Sequence, residues 1–201
     1  MKHVRLVLAG AFVISAVPAH AQISSFVSQE RVVLASYAGV MGLPGEDAMV
    51  SSQGFGPFVE TATVGIGYAS QNSTISTTEI TFGASLLLVR DPSIFGAVAL
   101  SRMDVRFNVP SGQFAMLDIT TFDAPVDGTV RLSRPGFTFE TTQLGSLVLP
   151  LAAGQYRYEV IASTASAPVE LRYAVRLRVV PGPSSALLAA VTFAAMARRR
   201  R

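Results

Sequence analysis

The 201-residue chain has no cysteine, no tryptophan, one lysine and only two histidines. Without cysteine there is no disulfide framework, no thiolate nucleophile and no sulfur-ligated zinc site. That absence does not argue against an oxidising compartment; it requires that burial alone stabilise the core. The histidines, His3 and His20, both lie near the N-terminus. The rest of the chain therefore cannot assemble a Ser-His-Asp triad, a Cys-His pair or a histidine-ligated metal centre. The lack of tryptophan counts against a sugar-binding platform built on large aromatic faces.

What is present begins with Lys2 and Arg5, an apolar run from Leu6 to Val17, and small residues at Ala19 and Ala21. A basic start, a short apolar region and an A-x-A-like site describe a secretory signal peptide. The apolar run falls short of the ~20 residues that an N-terminal membrane anchor needs. Segment 1–21 is therefore expected to direct export and to be removed by signal peptidase after Ala21.

Charge is distributed unevenly. Six of the 16 basic residues (Lys2, Arg5 and Arg198 to Arg201) lie outside the span 22–181, whereas all 13 acidic residues lie inside it. The 160-residue body thus carries ten arginines against 13 carboxylates, a net charge of −3 where the whole chain has +3. The basic character belongs to the end segments, so nucleic acid is not an expected partner of the body. A body of this length suits one domain.

The chain closes with Val180-Pro181-Gly182-Pro183-Ser184, an apolar stretch from Ala186 to Ala197, and Arg198, Arg199, Arg200 and Arg201. As a helix, 183–197 would measure roughly 22 Å, short of the ~30 Å hydrocarbon core unless flanking residues and local thinning assist. The arginines would stay cytoplasmic and leave the body outside. A Pro-x-Pro-Ser motif, a short apolar helix and a terminal arginine cluster resemble the PEP-CTERM sorting signal of exported bacterial proteins. That family usually has Pro-Glu-Pro where this chain has Pro181-Gly182-Pro183. The resemblance covers residues 180–201. It implies recognition and cleavage near the motif by an exosortase, a membrane transpeptidase-like enzyme. It also implies a Gram-negative envelope and association with extracellular polysaccharide.

Between the signals, residues 22–179 read as all-β: a single antiparallel, jelly-roll-like β-sandwich. Val169, Leu171, Tyr173, Val175, Leu177 and Val179 alternate with mostly polar residues, the pattern of a strand with one buried face. Met103 to Val109 and Tyr156 to Val160 alternate likewise. Shorter strands are expected at 59–68, 74–82, 115–122, 129–133, 137–141 and 146–149. Turns are expected at 109–112, at Asp127-Gly128, at 134–136 and at 150–154. This gives eight or nine strands. Leu86 to Val89 fits a fully buried strand or a short helix, and Gln29 to Val40 a short helix or an edge strand. The stretch from Leu149 to Tyr156 resembles a Leu-x-Pro-Gly-x-Tyr turn-and-strand common in secreted sandwich domains.

Enzyme chemistry is left with carboxylates. Glu60 and Glu79, expected on neighbouring strands, or Asp118, Asp123 and Asp127 offer a pair of the kind glycoside hydrolases use or a carboxylate-only metal site, and Asp123, Asp127 and Gly128 could join a calcium site. The alternative, solvated strand and turn residues, is the ordinary fate of carboxylates. No catalytic residue, metal or cofactor is assigned. Arg172, Arg176 and Arg178 recur on one strand face, with Arg157 on an expected neighbour. They form the best candidate for binding a polyanion, set against cross-strand Arg–Glu pairing. Tyr68, Tyr156, Tyr158 and Tyr173 are expected to point inward. The expectation for the whole is a non-enzymatic envelope or matrix protein, transiently anchored in the inner membrane and then released or attached. The alternatives are an acidic-polysaccharide-binding module and a carboxylate-based hydrolase. Expected partners are signal peptidase, an exosortase-like enzyme and exopolysaccharide.

Overall fold

The computed structural model describes residues 22–38, 45–65, 67–89, 95–121, 127–165 and 169–181. The expected signal-cleavage residues Ala19 and Ala21, the motif residues Gly182, Pro183 and Ser184, and Arg198 to Arg201 lie outside the described residues, as does Asp123.

Twelve strands are described. They are β1 (Ser25–Ala38), β2 (Glu46–Ser52), β3 (Phe58–Val64), β4 (Gly67–Ile75), β5 (Glu79–Leu88) and β6 (Phe95–Val109). They continue with β7 (Gln113–Thr121), β8 (Asp127–Arg134), β9 (Phe137–Thr141), β10 (Gly145–Leu151), β11 (Gly154–Thr164) and β12 (Val169–Pro181). Two antiparallel six-stranded sheets result. Sheet A has the order β2-β1-β6-β11-β8-β9, and sheet B has the order β10-β7-β12-β5-β4-β3. From β5 onward the chain crosses between the sheets at every connection except the β8–β9 hairpin. The resulting orders β6-β11-β8-β9 and β10-β7-β12-β5 are those of two Greek keys. The hairpins β1–β2 and β3–β4 widen the two sheets at the same side.

Alternation places one residue of every two in the core. Met103, Val105 and Phe107 of β6, Tyr156, Tyr158 and Val160 of β11, and Val130 and Leu132 of β8 face Phe82, Leu86 and Leu88 of β5 and Leu171 to Val179 of β12. Phe107 stacks on Tyr156 with centroids 6.2 Å apart. The Tyr156 hydroxyl accepts from the Ala152 amide at 3.0 Å and donates to its carbonyl at 3.1 Å. This closes the β10–β11 turn in the manner of the Leu149 to Tyr156 pattern. Pro150 sits in β10, an edge strand, where a missing amide is tolerated.

The expected elements differ from the observed ones at five places. Residues 29–38 form neither a helix nor an edge strand: β1 lies between β2 and β6 and pairs with both. Its periodicity is masked because Val32 and Leu34 face outward beside inward Val33 and Ala35, and because Gln29 and Arg31 occupy inward positions. The stretch 59–68 is broken at Gly65 into β3 and β4, and 74–82 is broken at 76–78 into β4 and β5. Asp127-Gly128 is the start of β8 rather than a turn, paired with Ser163 and Ala162. Tyr68 takes the outward phase of β4, between buried Gly67 and Ala69.

Arg31 is the largest departure from pattern. It is 1 % exposed and lies between the sheets. Its guanidinium donates to the carbonyls of Gly54, Gly56 (2.6 Å) and Ser73 (3.4 Å) and to Ser73 Oγ (3.3 Å), and stands 5.1 Å from the Phe58 ring centroid. No carboxylate among the described residues pairs with it. Burial pushes its pKa down. Carbonyl dipoles from the 53–57 segment take the place of a counter-ion, so Arg31 pins the connection between β2 and β3, on opposite sheets. Gln71 and Ser101 continue the buried chain through Ser73 Oγ at 2.9 Å and Gln71 Oε1 at 3.0 Å.

Candidate functional site

The sequence-predicted arginine stripe lies on the outer face of sheet B. Strict alternation along β12 puts Glu170, Arg172, Ala174, Arg176 and Arg178 on that face. Each arginine meets a carboxylate: Arg172 meets Glu170 (3.0 Å), Arg176 meets Glu79 of β5 (2.7 Å), and Arg178 meets Asp118 of β7 (3.0 Å). Ser146 of β10 donates to Asp118 at 2.6 Å. That hydrogen bond is the main cause of the lowered Asp118 pKa; burial opposes it, and the Arg178 hydrogen bond and the Arg178 and Arg176 charges add to the lowering. Glu79 holds the Arg176 pKa up. The face therefore alternates in sign instead of presenting a uniform cationic strip.

Arg157 does not join this stripe. β11 belongs to sheet A, so Arg157 lies on the opposite outer surface. There it donates to Asp104 (2.6 Å) and approaches Glu159 (3.3 Å). Glu159, only 6 % exposed, is also reached by Arg102 at 2.8 Å and Arg131 at 3.5 Å, and Arg131 continues to Glu140 at 2.7 Å. The hydrogen bond to Asp104 is the main cause of the raised Arg157 pKa. Asp104 and Glu159 are direct register partners and share two arginines. This network was hidden in the sequence because its members come from four strands that are neighbours only through the Greek-key order.

The other carboxylates do not assemble. Glu60 on β3 is separated from Glu79 on β5 by all of β4, and the two have opposite phases relative to their buried neighbours. Asp118 is committed to Arg178 and Ser146. Among the described residues no group of three or more His, Cys, Asp or Glu is placed to hold a metal ion. Among them no helix is long and apolar enough to cross a membrane. Val180 and Pro181, the first motif residues, end β12 and pair with Phe114 and Gln113.

One hollow interrupts the ion pairs on sheet B, a shallow depression of about 450 Å³. Asn72, Thr81, Gly83, Asp118, Thr120 and Arg176 contribute to its lining. Its floor is the cross-strand pair Gly83 and Ala174.

The class defined by these observations is an all-β protein of two packed antiparallel sheets with ion-paired outer faces. The chain matches no family model, no curated protein and no solved structure.

Proposed function

We propose that this is an exported cell-envelope or extracellular-matrix protein with a structural role, carried out by segment 1–21 and sorted through residues 180–201 by an exosortase-type enzyme. The eight strands β5 to β12 support a jelly-roll reading of its body, with β1 to β4 as an extension. The observation that carries the proposal is the junction at Pro181. β12 runs into the first two residues of the sorting motif without a linker, so cleavage beyond Pro181 leaves every described strand intact. Ion pairing of the outer faces further supports a role that asks for a durable surface.

The intact mass of the protein recovered from its native host tests the proposal. The expected species begins at Gln22 and lacks Arg198 to Arg201. A mature protein that retains either end overturns it. Charge-driven capture of acidic polysaccharide by Arg172, Arg176 and Arg178 has less support, because each guanidinium already has a carboxylate beside it.

A further inference from the structure

The hollow on sheet B contains a glycine that the fold does not require. Gly83 occupies the fifth position of ten-residue β5. Glycine in a strand interior weakens the strand, and it often marks a place where a ligand or another backbone comes close. Gly128 and Gly67 have packing reasons. A Cβ on Gly128 would sit 2.9 Å from the Tyr173 ring, and one on Gly67 would touch Leu88 and Val64 at 3.4 Å. A Cβ on Gly83 would meet no side chain, only the backbone carbonyl of Asn72 at 3.4 Å, the near limit of ordinary contact, and its φ lies outside the left-handed region. The missing side chain serves the open space above the sheet.

The register shows how that space is shaped. Val59, Asn72, Gly83, Ala174 and Thr120 form one row across five strands. The next outward row on one side is Ser70, Ser85 and Arg172; on the other it is Thr74, Thr81, Arg176 and Asp118. The floor is therefore low at Gly83 and Ala174; Arg176 walls one side, while on the other the Arg172 guanidinium is turned to Glu170 and leaves the short side chains of Ser70 and Ser85 along the rim. We propose that this trough is a binding site for a neutral, linear glycan lying across the strands over Gly83 and Ala174.

The lining chemistry selects that ligand class. The Asn72 side chain, the Thr120 hydroxyl, the Thr81 hydroxyl (2.7 Å from that of Thr74) and the Arg176 guanidinium supply both donors and acceptors, beside the Asp118 carboxylate, whose oxygens already accept from Ser146 and Arg178. Arg176 commits Nη2 to Glu79 and keeps its other N–H groups. Sugar hydroxyls both donate and accept, so such a mixed surface suits them. A polyanion would need surplus cations, and here three arginines are balanced by Glu79, Asp118 and Glu170.

This inference goes beyond the export reading and does not rest on it, since it concerns the folded body whatever happens to the tail. The test is calorimetric titration of the purified full chain with cellohexaose, maltohexaose, xylohexaose and hexagalacturonate. At least one neutral hexasaccharide is expected to bind with Kd of about 1 mM or tighter, unchanged between low and high salt. Gly83→Val fills the trough with a side chain suited to strands. It is expected to weaken binding about tenfold or more, a change of ~1.4 kcal/mol, while the melting temperature holds or rises. Asn72→Ala, at an exposed position, is expected to weaken binding without affecting folding, and it carries the test if Gly83→Val does not fold. Failure of every neutral hexasaccharide to bind overturns the proposal. So does binding that survives these variants, or preference for hexagalacturonate that vanishes with salt.

Discussion

Replacing Gly128 by alanine puts one methyl group into a close approach between the two sheets. The new Cβ would lie 2.9, 3.0 and 3.2 Å from Cζ, Cε2 and Cε1 of Tyr173, closer than real Cβ contacts come. Gly128 belongs to sheet A and Tyr173 to sheet B, so relief requires moving the ring or parting the sheets. The ring is held edge-on against Phe82, with centroids 6.4 Å apart, and cannot turn freely. Overpacking of this kind costs about 1–3 kcal/mol. The φ of Gly128 suits alanine, so the loss of unfolded-chain freedom returns about 0.4–1 kcal/mol. The net effect is a destabilisation of roughly 1–2 kcal/mol, or about 2–8 °C in Tm for a protein of this size. Thermal and urea denaturation of the full chain followed by circular dichroism would measure it. Gly83→Ala is the control, because the same chemical change there meets only one backbone carbonyl, at 3.4 Å, and is expected to be close to neutral. Adding Tyr173→Leu to Gly128→Ala should recover part of the loss through a favourable coupling. If Gly128→Ala is as stable as the parent, the argument from the close approach is wrong.

Three further outcomes follow from the charged and phenolic groups. Burial raises the Tyr173 pKa from 10.0 to about 12. The neutral phenol therefore contributes stability that is full below pH 10 and is lost as pH rises toward 12. Tyr173→Phe should flatten that alkaline loss in a pH–stability series, leaving the part due to Tyr158, which shifts the same way. Asp118 has a folded pKa below 3.8, so its contribution is present above that value and disappears as pH falls through the folded pKa. Asp118→Asn should reduce the acid sensitivity of the urea midpoint. Glu159→Ala removes the acceptor shared by Arg102, Arg131 and Arg157, and should cost about 1.5–3 kcal/mol in urea denaturation at neutral pH. A loss below ~0.5 kcal/mol would mean that the network is only a surface ladder.

Strands with one wet face were legible in the sequence. β9 coincides with the expected 137–141, and β12 follows from its six alternating apolar residues, because an antiparallel sandwich imposes a period of two. β1 was illegible because its inward positions include Gln29 and Arg31, whose burial depends on the 53–57 segment that joins β2 to β3. Local pattern carries no sign of such a partner. The β4–β5 turn was missed because Ser76, Thr77 and Thr78 continue the Ser/Thr composition of β4 without a break, whereas the β3–β4 turn was marked by Gly65 and Gly67, which were read as part of one strand. The pairing of Arg172, Arg176 and Arg178 was foreseeable as cross-strand chemistry, but its partners Glu79 and Asp118 are fixed by sheet order. So is the separation of Arg157 from the stripe. The trough over Gly83 needs three registers at once, and a lone glycine in an apolar-alternating run gives no direction.

β12 lies between β5 and β7 and is hydrogen-bonded along its length to one or the other up to Pro181. A strand at a sheet edge peels away one bond at a time when its end is pulled outward. An interior strand pulled along its own axis must slide against both neighbours, and many bonds resist together. Tension applied at Pro181 along the strand axis is therefore resisted by both ladders together. A tether attached beyond that residue would pull on the third strand of six and not on an edge.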